Sequence, residues 1–100
     1  SKVSQSKKDF FYYQAQNLLA QIYISQKNYD KAIEIYEKME EESPESYSHD
    51  VFLFHHAQAL EEKGELEEAL ILYKRVQTAF PQTYYGMDAA ENARKLEEKK

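Results

Sequence analysis

The sequence predicts an all-α fold of about five helices, paired into antiparallel hairpins that stack on one another. Three observations lead there. First, NYDKAIEIYEKMEEESP, residues 28–44, returns as GELEEALILYKRVQTAFP, residues 64–81, and Ala32 and Ala69, Tyr36 and Tyr73, Met39 and Val76, and Pro44 and Pro81 are each 37 residues apart. A period shared by four landmarks marks an internal repeat. Second, in each copy a small residue is followed four positions on by an aromatic and three further by an aliphatic, so all three lie on one helical face. Third, the chain holds only two glycines and two prolines with 42% hydrophobic residues, a composition that suits helices in a globular domain.

Taken in order, SKVSQSKK at residues 1–8 is polar and is expected to fray over residues 1–9, with Ser6 capping a helix whose third residue is Asp9. The first helix then carries Phe11, Ala15, Leu18, Leu19, Ile22 and Tyr23 at helical spacing and ends at Asn28. The second runs from about Tyr29 or Asp30 to Glu41. Its apolar stripe is Ala32, Ile33, Ile35, Tyr36 and Met39, and so short a turn forces the two helices antiparallel. Ser43, Pro44 and Glu45 combine a capping hydroxyl, a proline for the first helical position and an acid favoured by the helix dipole. The third helix passes through Val51, Phe52, Phe54, Ala57 and Leu60 to Lys63, and Gly64 supplies a left-handed end. The fourth spans Glu65 to Ala79, burying Leu66, Ala69, Leu70, Leu72, Tyr73 and Val76. After Pro81, Thr83 can cap a fifth, in which Ala89, Ala93 and Leu96 keep the spacing of Leu53, Ala57 and Leu60.

Each unit therefore reads as one helix with L-A-x-x-Y (Leu19, Ala20, Tyr23) or H-A-x-x-L (His56, Ala57, Leu60), a turn, and a second helix with A-x-x-x-Y before a proline. This resembles the tetratricopeptide repeat, a helix-turn-helix unit of about 34 residues. Gln16 and Leu53 stand where the family's opening aromatic would be, and His56 replaces a leucine. The three extra residues of the 37-residue period belong between hairpins, in SPESYSHD. The resemblance implies a right-handed superhelix over residues 10–100, with repeat one at 13–46, repeat two at 50–83 and a capping helix or half repeat at 84–100. The segment FPQTYYGMDAAENA is similar to repeat junctions of bacterial cell-envelope members, which implies a domain of a longer, membrane-anchored protein.

Composition narrows the function. No stretch approaches the roughly 18 apolar residues of a membrane span, and with no cysteine there is no disulfide, thiolate nucleophile or cysteine-ligated metal. A net charge of −5, with fourteen glutamates, opposes a nucleic-acid partner, which needs clustered Lys and Arg. The glutamate runs read as solvated helix faces. His49 and His56 share a face but stand about 10 Å apart along it, so zinc or copper lacks converging ligands; His56 reads as a hydrogen-bonded core histidine. Neither a nucleophile beside a base nor a phosphate loop is present, so no enzyme and no cofactor is expected.

Aromatics remain. Phe10, Phe11, Tyr12 and Tyr13 are consecutive and cannot all face one core. With Tyr84 and Tyr85 beside the last proline, Phe10, Tyr12 and Tyr13 are expected at an aromatic interface. The resemblance implies further that the first helix of each unit lines a groove for a peptide or partner helix, which places Asn17, Gln21, Phe54, Gln58, Glu61 and Arg94 on its wall. Members that clamp a terminal carboxylate use lysine, asparagine and arginine at positions corresponding to Asn17, Gln21, His55, Met87 and Glu91 here. None of these is Lys or Arg, which disfavours that ligand. The expected function is a non-enzymatic protein-binding scaffold, with homodimerisation through open repeat faces as the alternative.

Overall fold

The computed structural model describes residues 2–42 and 49–99, with side chains from residue 10 onward. Five helices follow one another: α1 (Lys2–Ser25), α2 (Tyr29–Glu42), α3 (His49–Lys63), α4 (Leu66–Ala79) and α5 (Tyr84–Glu98). Each packs on its neighbours in sequence, and α3 also touches α1 and α5. The proposed cap at Ser43, Pro44 and Glu45 lies outside the described residues.

The repeat landmarks become the two halves of the core. Ala32 and Tyr36 are fully covered and Met39 nearly so, and Ala69, Tyr73 and Val76 occupy the same register in α4 with no exposure at all. Small residues let the helices approach, and the ring four positions on fills the space they leave. One cluster joins Tyr13 and Ala20 of α1 to α2 and Phe52; the other joins Leu53, Phe54, Ala57 and Leu60 of α3 to α4 and to Ala89, Ala93 and Leu96 of α5. Helix α3 thus belongs to both. That is why it is buried nearly all round.

Both hairpin turns close alike. Glu65 N–H donates to Leu60 C=O at 2.9 Å, and 37 residues earlier Asn28 N–H donates to Tyr23 C=O at 2.8 Å. Each turn needs a left-handed residue. Gly64 provides it at φ 100° in the second, as expected, and Lys27 provides it at φ 64° in the first. At α5, Thr83 Oγ1 accepts from Gly86 N–H at 3.0 Å, the anticipated cap. Gly86 is required there for a second reason, since a Cβ on it would run into the Phe80 carbonyl oxygen.

Two expectations for α1 need correction. It begins at Lys2, so Ser6 lies inside the helix and not at its start, and it ends at Ser25, before Asn28. Its buried face is Tyr13, Asn17 and Ala20, flanked by half-buried Tyr23 and Ile24. Of the stripe read from the sequence, Tyr23 packs against the core, whereas Phe11, Ala15, Leu18, Leu19 and Ile22 face outward. At 100° per residue the two sets lie on opposite sides of the helix.

Candidate functional site

A cleft of about 270 Å³ lies between α1 and α3, the first helices of the two units, and is closed at one end by the α1–α2 turn. Gln21, Ile24 and Ser25 line it from α1, Lys27 from the turn, Tyr29 from the start of α2, and His55, Gln58 and Glu62 from α3. The last three are spaced three and four apart, so one face of α3 presents them together. His55 Nδ1 and Gln58 Oε1 are 3.1 Å apart. Burial depresses the His55 imidazolium below the ordinary histidine range, opposed in part by the hydrogen bond that the ring donates to Gln58 Oε1. The ring is therefore neutral near pH 7 and offers one donor and one acceptor. Glu62 and Lys27 bring opposite charges to the rim, so the cleft suits a polar chain better than an ion of either sign.

Of the six residues expected on a groove wall, Gln21 and Gln58 line this cleft. The other four are occupied elsewhere. Asn17 is 9% exposed, and its Oδ1 accepts from the Tyr36 hydroxyl at 2.8 Å. Phe54 is 7% exposed, within the core shared by α3, α4 and α5. Glu61 accepts from the Tyr73 hydroxyl at 2.7 Å. Arg94 stands between Glu91 and Glu98 on the outer side of α5, held by two ion pairs that keep its guanidinium charged. Asn17 and Glu61 share a cause: a repeat tyrosine that fills the hairpin seam carries its hydroxyl to the far edge, where a polar residue must receive it. Burial drives both tyrosine hydroxyls far above the usual phenol range.

The aromatic set divides as well. Tyr13 is 6% exposed, with its ring 6.1 Å from that of Phe52, so it belongs to the core. Phe10 and Tyr12 are close to half exposed, and Tyr84 is open. The Asp88 carboxylate beside Tyr84 raises that phenol. Tyr85 is half-buried and bridges α5 to α3, with its ring 5.1 Å from Phe54 and 5.5 Å from His55. The two ends of the chain thus contribute to different surfaces, and no single patch collects all five residues.

Ile24, Ser25, Lys27, Tyr29 and Glu62 were not anticipated as cleft residues, whereas the resemblance had set His55 at a groove position. The spacing of His55, Gln58 and Glu62 was the available signal, but similar triplets recur on exposed glutamate-rich faces. His56, by contrast, is the core histidine expected, with Nδ1 2.9 Å from Glu40 Oε2. Among the described residues no three His, Cys, Asp or Glu side chains stand together, and no helix is long and apolar enough to cross a membrane.

Compared with known proteins, residues 23–90 match a family model described as tetratricopeptide repeat. That stretch begins at the end of α1 and takes in α2, α3, α4 and half of α5. Comparison with curated proteins and with solved structures found no match.

Proposed function

Because the chain belongs to the tetratricopeptide repeat family, whose repeats serve generally as scaffolds for protein partners, we propose that it is a non-enzymatic module that receives an extended peptide segment in the cleft between α1 and α3. One observation carries the reading. Amide, imidazole and hydroxyl groups converge there beside the apolar sides of Ile24 and Tyr29, with no paired acid and base aimed at a common point. Gln21, Gln58 and His55 can exchange hydrogen bonds with a peptide backbone, and the mixed charges of Lys27 and Glu62 set no strong preference for the charge of its side chains. A carboxylate clamp is not part of this reading, since Asn17 and Glu91 are already engaged.

In this reading the domain covers residues 10–100, with units at 13–46 and 50–83 closed by 84–100, and α5 acts as the terminal cap. Its outer face carries Glu91, Arg94, Lys95 and Glu98, which suits water better than another repeat. The likeness of FPQTYYGMDAAENA to cell-envelope repeats supports a place within a longer, membrane-tethered protein.

The test is selection of binders from a random peptide library, followed by titration of the best of them into wild type, Gln58→Ala and His55→Ala. Weakening of about tenfold for each variant is expected, the worth of one lost hydrogen bond in a partly desolvated site. Enriched peptides that bind both variants like wild type would place the binding surface elsewhere.

A further inference from the structure

Helix α1 has two apolar faces. The inner one is covered by α2 and α3, and the outer one is not: Phe11 is 68% exposed, Leu18 61% and Ile22 51%, with Ala15 between them also open. The four are spaced four, three and four apart, the seam spacing of a helix that packs along another helix, and they fall within about 60° of arc. The repeat shows what such a face is for. Ala15, Leu19 and Ile22 correspond at the 37-residue period to Phe52, His56 and Ala59 of α3. All three of those are buried, whereas Leu19 is 39% and Ile22 51% exposed.

We propose that this face is a self-association seam, on which a second copy of the chain lays its own α1 antiparallel about a two-fold axis. Three features select a second copy over other occupants. A two-fold midway between Gln16 and Asn17 sets Phe11 against Ile22 of the other copy and Ala15 against its Leu18. The small residue then meets the large one at the centre, and the same stripe serves both partners, as an isologous interface requires.

Charge is the second feature. Residues 10–26 contain no charged side chain, in a protein that is 31% charged with a net charge of −5. Two such copies can meet along α1 without like charges facing each other, whereas the opposite end of the stack, the outer face of α5, bears Glu91, Arg94, Lys95 and Glu98. The third is size. With about 150–250 Å² on an aromatic side chain and somewhat less on an aliphatic one, the stripe and its flanks offer about 500 Å² per copy. A pair would bury about 1,000 Å², the lower end of specific interfaces, so the dimer forms and dissociates with concentration.

Sedimentation equilibrium of the whole chain tests this. The mass is expected to climb from 11.9 kDa towards twice that value between about 1 and about 300 μM, the span over which an interface of this size responds. Leu18→Glu brings a carboxylate to the axis from each copy and should shift the midpoint at least about tenfold to higher concentration. Because Leu18 is open in the monomer, far-UV circular dichroism of the variant should match wild type. Arg94→Ala, at the other end of the stack, should leave the midpoint in place. Register is read separately: a mixture of Ala15→Cys and Leu18→Cys chains should form a mixed disulfide dimer faster than either chain alone. A wild-type mass fixed at the monomer, or a dimer indifferent to Leu18→Glu, overturns the proposal. Peptide titration of the Leu18→Glu chain reports on the α1–α3 cleft independently.

Discussion

Replacing Tyr36 by phenylalanine removes one hydroxyl and nothing else. The ring stays fully covered between α2 and α3, beside His55 and His56, so no cavity opens and the packing contribution is retained. What is lost is the 2.8 Å hydrogen bond to Asn17 Oδ1, the one partner that this acceptor has among the described residues. A neutral hydrogen bond is worth about 1 kcal/mol net, and a buried acceptor left unsatisfied costs about 1–3 kcal/mol. Since Asn17 keeps 9% of its surface, water can recover part of the loss, and we expect a destabilisation of about 2 kcal/mol. For a domain of this size that lowers Tm by roughly 10 °C. Urea unfolding followed by far-UV circular dichroism, at concentrations where the chain is monomeric, measures it with an unchanged m value. The decisive arm is Tyr36→Phe combined with Asn17→Leu. With both polar groups gone, no acceptor is stranded, and the double variant should be more stable than Tyr36→Phe alone. A single variant within about 0.5 kcal/mol of wild type, or a double variant whose cost equals the sum of the two singles, would refute the bond as a structural tie.

Other predictions concern the turns and the buried histidine. Lys27 holds φ 64° where its repeat counterpart is Gly64; Lys27→Gly should raise stability by about 0.5–1 kcal/mol in the same urea assay, the relief of a left-handed non-glycine residue less the extra entropy of the unfolded chain. Gly86→Ala forces a methyl group against the Phe80 carbonyl, and should cost at least about 2 kcal/mol, seen as a lower thermal midpoint. His55 is held neutral by burial, its folded pKa below the unfolded 6.5. Its contribution is thus fully present above pH 6.5 and lost as pH falls through the lower folded value, because the unfolded chain binds the proton first. Urea midpoints taken from about pH 7.5 down to about pH 5 should therefore fall more steeply for wild type than for His55→Gln; parallel curves would show that burial does not disfavour the charged ring.

The local order of this protein is legible in its residues. A 37-residue period, a small residue four before a tyrosine, a glycine at one hairpin and a threonine before the last helix were enough to place five helices, the two seams and two of their ends. These signals are local or repeat at fixed distance, and helix periodicity converts them directly into faces. Three matters were settled only by tertiary packing. Helix α1 carries an apolar stripe on each side, and periodicity cannot say which one the protein covers; α2 and α3 decided for Tyr13, Asn17 and Ala20 and left Phe11, Leu18 and Ile22 outside. Asn17 and Glu61 looked free for a ligand until the hydroxyls of Tyr36 and Tyr73, nineteen and twelve residues away along the chain, arrived to occupy them. Lys27 adopts a backbone its own side chain disfavours, because the second helix must return at the same angle in both units and closure of the hairpin outweighs a local cost of about 1 kcal/mol.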